Sequence, residues 1–599
     1  MSSHFITSIN AWLEEGQYQQ VKNVILDPAS IQQVREFGME IILGVCSHLN
    51  SEKTVWSLQM EECCEFSLLM VAQLSNPKEV LIALQEQVAQ FGYSSKFKIL
   101  LLPFQAVLLR IPDKRGKLLD MVLATIGEHV SSLPLPDTGS FCEGKDRLLL
   151  DADPKVQCIS NIYEALAEFY APLVKQVALN RPNQAKPGLV DRGNLRERRS
   201  VLRKNLLKTM EEPLVSMDLH VEEGCSASLL RKTAEKLVHH LSCVCGDLIS
   251  LSPELEDNRC LSTVFYLVYG EDLACSSLPL VYSPQFVFHT VVMHGHVLLR
   301  SNQPLAIHKG LLLVQGILRH MSDLALPVDC LDHPVHFKVF QSLIWLAVSG
   351  INVREFKVLT VRLFRLYLNK LHAEARYRLL QSLLPTLDHP GLRGVIINII
   401  KDQIDLCLKM NWPYFLHDRM DAILPLIWSL PNGVETDLLE QMDAIMAALN
   451  LARYLLLRDA NDASGLRHHL LGLEEDFLEP LGRALKISRA HYELQLHKIQ
   501  QQQHDVAQDV AGIINGLSAM PAVSPEQQKS VIRLALNSFD LLGSVLARVS
   551  ECLQSFKNPA NQKSWSIHHH HRLYSVPPII FINWNHILTH THTHTHTND

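Results

Sequence analysis

The sequence predicts an all-α chain of stacked helix pairs, an α-solenoid, and three observations predict it. Leucine-rich segments carry only scattered β-branched residues, and aromatics are 7% of the chain, a bias toward helix over sheet. Apolar residues recur at three- and four-residue spacing within segments bounded by Pro, Gly and Ser. Hydrophobic residues are 47% and charged residues 20% of 599, so the chain has core material that a disordered sequence lacks.

The first clear element follows Asn76-Pro77-Lys78-Glu79, an N-cap, a proline at the first helical position and a first-turn acid. Val80, Leu81, Leu84 and Val88 form its apolar face, and Gly92 after Phe91 stops it. A second helix is expected over 95–109 with Pro103 as a kink, and a third over 118–130 after the turn at Pro112-Asp113. Leu133-Pro134-Leu135-Pro136 then breaks the chain. Consecutive helices on short connections are the mark of a solenoid.

Residues 186–260 read as a hinge or linker with short helices. Lys186-Pro187-Gly188 and Arg192-Gly193-Asn194 stand among Arg196, Arg198, Arg199, Arg203 and Lys204, and Ser252-Pro253-Glu254 caps a short element. A phosphate-binding arm is one reading of the basic run. A solvated loop leading into a charged helix face is preferred, because aromatic partners for bases are missing.

The second half is more regular. Helices are expected near 262–270, 284–299, 304–321, 335–348, 353–371, 373–384, 391–409 and 417–429. In Glu435–Arg458, capped at Thr436, the residues Leu438, Met442, Ile445, Leu449, Ala452 and Leu456 share one stripe. Another helix runs from about Glu474 into Gln500–Gln503, residues 512–525 form a linker, and a last helix follows Ser524-Pro525-Glu526. Phe539, Leu542, Val545, Leu546, Val549 and Leu553 are its expected buried face. No invariant repeat signature appears, so the tetratricopeptide and ankyrin patterns are not supported. Degenerate HEAT-like pairs of about 40–47 residues remain compatible.

Residues 557–599 differ in kind. His568–His571 and the Thr-His alternation from Thr589 to Thr597 read as a disordered, translated non-coding or atypical-isoform segment. A metal-binding tail is the alternative, since imidazoles bind zinc, copper and nickel, but nothing there fixes a coordination geometry.

A formal net charge of −7 supplies no overall attraction for nucleic acid or anionic membrane. The start lacks a basic segment followed by an apolar one, and the longest apolar stretch, near 99–111, is too short to span a bilayer. A soluble, cytoplasmic protein is expected. Its thirteen cysteines form no CxxC pair and read as reduced core residues.

Catalytic and metal motifs are missing. There is no HExxH, GxxxxGK[ST], GxSxG or EF-hand loop; Asp151-Ala152-Asp153 lacks the remainder of a calcium loop. His239-His240 and His468-His469 are adjacent residues, expected to diverge around a helix rather than chelate. Cys63-Cys64 has no local base and reads as core. No enzyme, cofactor or metal is expected, and surface recognition is the function class that remains.

The second half resembles the glomulin family. The strongest block is Glu435-Thr436-Asp437-Leu438-Leu439, continuing through Asp443, Ile445-Met446, Leu449-Asn450-Leu451 and Arg453-Tyr454-Leu455. Lys401, Gln403-Ile404-Asp405 and Leu408-Lys409 support it, as do Ala490-His491-Tyr492-Glu493, Phe539-Asp540-Leu541 and Ser544–Val549. The similarity runs from about 20 to 555 and ends before the histidine-rich tail. It implies HEAT-like repeats in two regions, an N-terminal one over 1–185 and a C-terminal RING-binding one over 261–556. It further implies an inhibitor that grips the RING domain of the RING-box subunit of cullin-RING ubiquitin ligases and excludes the ubiquitin-conjugating enzyme. Lys401 falls where the family retains a lysine at the RING contact; Asn369 sits in a matching block one repeat earlier. Asp405, Arg453 and Arg548 are further contact residues on this reading, or else intra-solenoid partners. An adaptor that binds an immunophilin or a receptor tail through its N-terminal region is the alternative.

Overall fold

The structure is a computed structural model, and it describes residues 2–51, 57–92, 94–111, 116–136, 152–178, 189–221, 227–254, 258–273, 281–348, 354–459, 462–509 and 525–557. Among these residues the fold is all-α, with no strand beyond isolated bridge positions. The chain forms two compact units, one of Met1–Leu326 with Cys330–Lys370, the other of Pro327–Asp329 with Leu371 onward.

In the first unit, helices pack on close sequence neighbours: Leu58–Leu74 on Lys98–Arg110, Pro154–Val177 on Leu229–Cys245, and Pro284–Leu299 on both Pro304–Arg319 and Pro334–Val348. Their buried faces are the apolar stripes of the sequence. Val80, Leu81, Leu84 and Val88 are all core residues of Pro77–Val88. Asn76 accepts the Lys78 N–H at 3.1 Å, and Gly92 takes φ +52°, so both expected boundary signals operate. Asp153 caps Pro154–Val177 by accepting the Lys155 N–H at 2.7 Å.

The 186–260 segment contains two substantial helices, Leu189–Thr209 and Leu229–Cys245, both in the first unit. Two of its described basic residues have partners within the unit. Arg199 donates to the Val177 carbonyl at 2.9 Å, closing the end of the preceding helix, and Lys204 pairs with Asp120 at 3.2 Å. Ser252 is no cap: its hydroxyl is buried, donating to the Thr290 carbonyl and lying 2.9 Å from His294 Nε2.

In the second unit, Pro390–Met410 packs on Met442–Arg458, which packs on Pro525–Lys557, which in turn pairs with Glu479–Asp509. Gly394 permits the first of these contacts, because a Cβ there would stand 2.8 Å from the Asp443 carbonyl oxygen. Two expected helices change. The segment 417–429 splits into a 3-10 turn, His417–Met420, and the short helix Leu424–Ile427, since Pro425 has no N–H to continue an earlier helix. The helix expected from Glu435 begins at Met442, because Asp437 accepts the N–H groups of Leu439 and Glu440 in a separate turn.

Glu526–Lys557 is long and apolar enough to cross a membrane by length and composition, although it packs here as a helix of the second unit. Six cysteines, Cys46, Cys63, Cys64, Cys260, Cys407 and Cys552, are buried, and burial pushes the Cys46 thiol up to about 12. The expected linker over 512–525 apart from Pro525, which opens the last helix, lies outside the described residues, as do the basic loop around Lys186 and the histidine-rich tail.

Candidate docking surface

The Pro390–Met410 helix carries the first candidate residues. Pro390 opens it, His389 accepts the Leu392 N–H, and Asn411 closes it with φ +55°, the left-handed conformation that asparagine tolerates. Ile396, Ile397, Ile400 and Ile404 are buried, which turns Lys401 outward. Its side chain is 31% exposed, with Nζ 3.5 Å from the Asp402 carboxylate. A loose, hydrated pair of this kind costs little to break.

Asp405, four residues on, is engaged within the unit. Tyr454 donates to its Oδ1 at 2.7 Å and Lys409 to its Oδ2 at 2.5 Å. Burial alone would raise its pKa, but the hydrogen bonds from Lys409 and Tyr454 hold the carboxyl below the usual carboxylate range. Arg453 is half-buried near Cys552 of the last helix, whose thiol burial pushes up and the Arg453 charge only partly offsets. Asp405 therefore bridges two helices, while Lys401 on the same helix is partly exposed.

Arg548 is exposed on Pro525–Lys557. Phe539, Leu542, Val549 and Leu553 are buried as expected, while Val545 and Leu546 are only partly covered. Beside the core stripe, Leu534, Leu541 and Arg548 follow one another at seven-residue steps, so the helix presents them along one line. Leu541 is 51% exposed. The partner helix repeats the pattern with Ile487 and Leu494, seven residues apart and both more than half exposed. Arg489 joins the two helices through Asp540 at 2.6 Å, and Tyr492 meets Phe539 edge-on. Sequence reading missed these exposed leucines. They belong to a second, shorter stripe flanking the core stripe, with the same helical spacing.

Asn369 belongs to the first unit, exposed at the end of Arg354–Lys370. Its carbonyl accepts the Leu324 N–H, while the neighbouring Lys370 ammonium is buried against the Met321 carbonyl and Asp323.

His468 and His469 do not diverge as adjacent helical residues should. Both reach Asp421 Oδ1, at 3.4 and 2.8 Å, because the short Arg467–Leu473 helix places them in its first turn beside that carboxylate. His239 and His240 do separate: His240 meets the Ala167 carbonyl, and His239 lies beside Cys243.

The family model described as "Uncharacterised protein family, YAP/Alf4/glomulin" matches residues 247–537. Human glomulin is 30% identical over 569 residues, covering 90% of this chain and 92% of the relative. The chain belongs to the glomulin family. Mouse glomulin is 29% identical over 573 residues with the same coverage. The segment matched by the glomulin-family model contains Asn369, Lys401, Asp405 and Arg453, and ends before Leu541 and Arg548.

Proposed function

We propose that this protein inhibits cullin-RING ubiquitin ligases: its second unit binds the RING domain of the RING-box subunit and blocks docking of the ubiquitin-conjugating enzyme. Glomulin-family membership across nine-tenths of the chain carries the reading. The exposed line Leu534–Leu541–Arg548, with Ile487 and Leu494 on the paired helix, supports it, since two rigid helices offering apolar anchors and an arginine suit a small folded partner. We assign Lys401 and Arg548 as direct contacts, Asp405 and Arg453 as residues that hold the docking helices in place, and Asn369 as a separate contact from the first unit.

Inhibition on this reading needs no catalytic group or cofactor. A RING domain has one principal docking face, so two proteins that require it exclude each other by mass action. At a hundred times its dissociation constant, the inhibitor would leave about 1% of the RING-box subunits open. The site of action would be the cytoplasm, with neither nucleic acid nor membrane taking part.

The test is a reconstituted ubiquitin-transfer assay with the full chain, titrating the conjugating enzyme at several inhibitor concentrations. Competitive inhibition that excess conjugating enzyme relieves is the expected result. Unchanged transfer at saturating protein would remove the proposal.

A further inference from the structure

Three side chains that commonly ligate metals converge inside the first unit from two distant stretches of chain. His289 comes from Pro284–Leu299, Cys330 from the 3-10 turn Val328–Asp332, and His336 from the first turn of Pro334–Val348. One ligand atom of each lies within 4.8 Å of the other two. Cys330 Sγ is 3.7 Å from His289 Nε2, and His289 Nδ1 is 3.3 Å from His336 Nε2. A tetrahedral zinc ion, with bonds of about 2.3 Å to sulfur and about 2.1 Å to nitrogen, holds its ligand atoms roughly 3.4–3.6 Å apart. These two short contacts fall on opposite nitrogens of His289, and an imidazole gives an ion only one. With a single ligand atom per residue the cluster lies within 4.8 Å and draws in to that spacing on binding.

The surroundings fit a metal centre as well. His336 is buried, and its Nδ1 lies 2.6 Å from the Tyr367 hydroxyl, which orients the ring and leaves Nε2 as the ligand atom. Tyr367 is itself fully buried, stacked on Phe340 and edge-on to Phe288. His333 stands exposed at the rim, its ring 6.0 Å from that of His289, in a Cys-x2-His-x2-His spacing with Cys330 and His336. No carboxylate belongs to the set. One thiolate with imidazoles favours zinc over magnesium or calcium.

We propose that the chain binds one zinc ion through Cys330 Sγ and the imidazoles of His289 and His336, with the fourth position opening toward His333. On binding, the Cys330 thiol gives its proton to solvent and the thiolate takes the metal. The ion clamps the start of Pro334–Val348 to Pro284–Leu299, reinforcing the His296–Ser342 hydrogen bond one turn or more along the same helices.

The histidine-rich tail and the exposed Asp421–His468–His469 cluster also attract metals, so the test must report sulfur ligation. Metal-stripped full-length protein is titrated with Co2+, and the sulfur-to-cobalt charge-transfer absorption is followed. One such centre per chain is expected. It should vanish in Cys330→Ser, persist in Cys243→Ser, and form with about 10–100-fold weaker affinity in Tyr367→Phe. A second measurement needs no variant: stoichiometric zinc should protect Cys330 from alkylation, read by peptide mass mapping. No charge-transfer band in the wild type, the same band in Cys330→Ser, or equal alkylation of Cys330 with and without zinc would each overturn the assignment.

Discussion

The Tyr454 hydroxyl donates to Oδ1 of Asp405 across 2.7 Å, joining the Pro390–Met410 and Met442–Arg458 helices at a point one helical turn from Lys401. The carboxylate is thereby committed to the fold, while the lysine beside it is left to a loose pair with Asp402. The two residues share a helix and a motif block, yet their environments give them different work.

Tyr454→Phe should cost about 1–2 kcal/mol in urea unfolding, the worth of a hydrogen bond to a partly exposed charged group. The sign of its pH dependence follows from the lowered Asp405 pKa in the folded state. The bond's contribution is fully present above the unfolded pKa of about 3.9 and is lost as pH falls through the folded value. The stability gap between wild type and variant should therefore be flat from neutral pH to about 5 and shrink below about 4. A gap that widens in acid would contradict the assignment.

Lys401→Glu should reduce RING affinity about tenfold while leaving the thermal midpoint unchanged, because its neighbouring pair is hydrated and weak. Leu541→Asp, on an exposed face, should do the same by removing an apolar anchor. Asp405→Asn should instead lower stability and affect binding only through the fold. Calorimetric binding paired with thermal melts separates the two patterns.

Lys309 is buried in the first unit, its ammonium donating to the Leu214 and Val215 carbonyls at 2.8 Å and lying over the Tyr266 ring. Burial pulls its pKa down to about 7. Between that value and the ordinary lysine range the unfolded chain binds more protons, so this group makes stability rise with pH. The slope is at most about 1.4 kcal/mol per pH unit. Unfolding titrations from pH 7 to 10 should show this rise in the wild type and not in Lys309→Met. Equal slopes would indicate that the two carbonyls keep the ammonium charged.

Gly316 lets the Pro304–Arg319 helix pass against the chain at Tyr269, and a Cβ there would overlap the Tyr269 carbonyl. Gly316→Ala should destabilise the first unit by about 1–3 kcal/mol, since the overlap is with backbone and no rotamer relieves it. At Gly92, where φ is +52° and no neighbour lies within 4 Å, alanine meets only conformational strain, so a smaller loss is expected. Limited proteolysis and thermal melts of both variants compare the two causes.

The sequence by itself determined that this protein is helical throughout its described length, because helix periodicity, caps and stops are local signals. Asn76, Pro77 and Gly92 act where their spacing placed them, and Ile396, Ile397, Ile400 and Ile404 are buried as one row. It also carried the glomulin-family resemblance, which resides in side-chain order. What it left undecided depends on distance through space. Asp405 could be read as surface or as a strut until Tyr454 was in place. The second apolar stripe of Leu534 and Leu541 could not be separated from the core stripe, since both follow helical spacing and only packing covers one of them. His289, Cys330 and His336 meet because two neighbouring helices bring together residues more than forty positions apart. Motif spacing within one segment cannot register such a meeting; only the tertiary structure decides it.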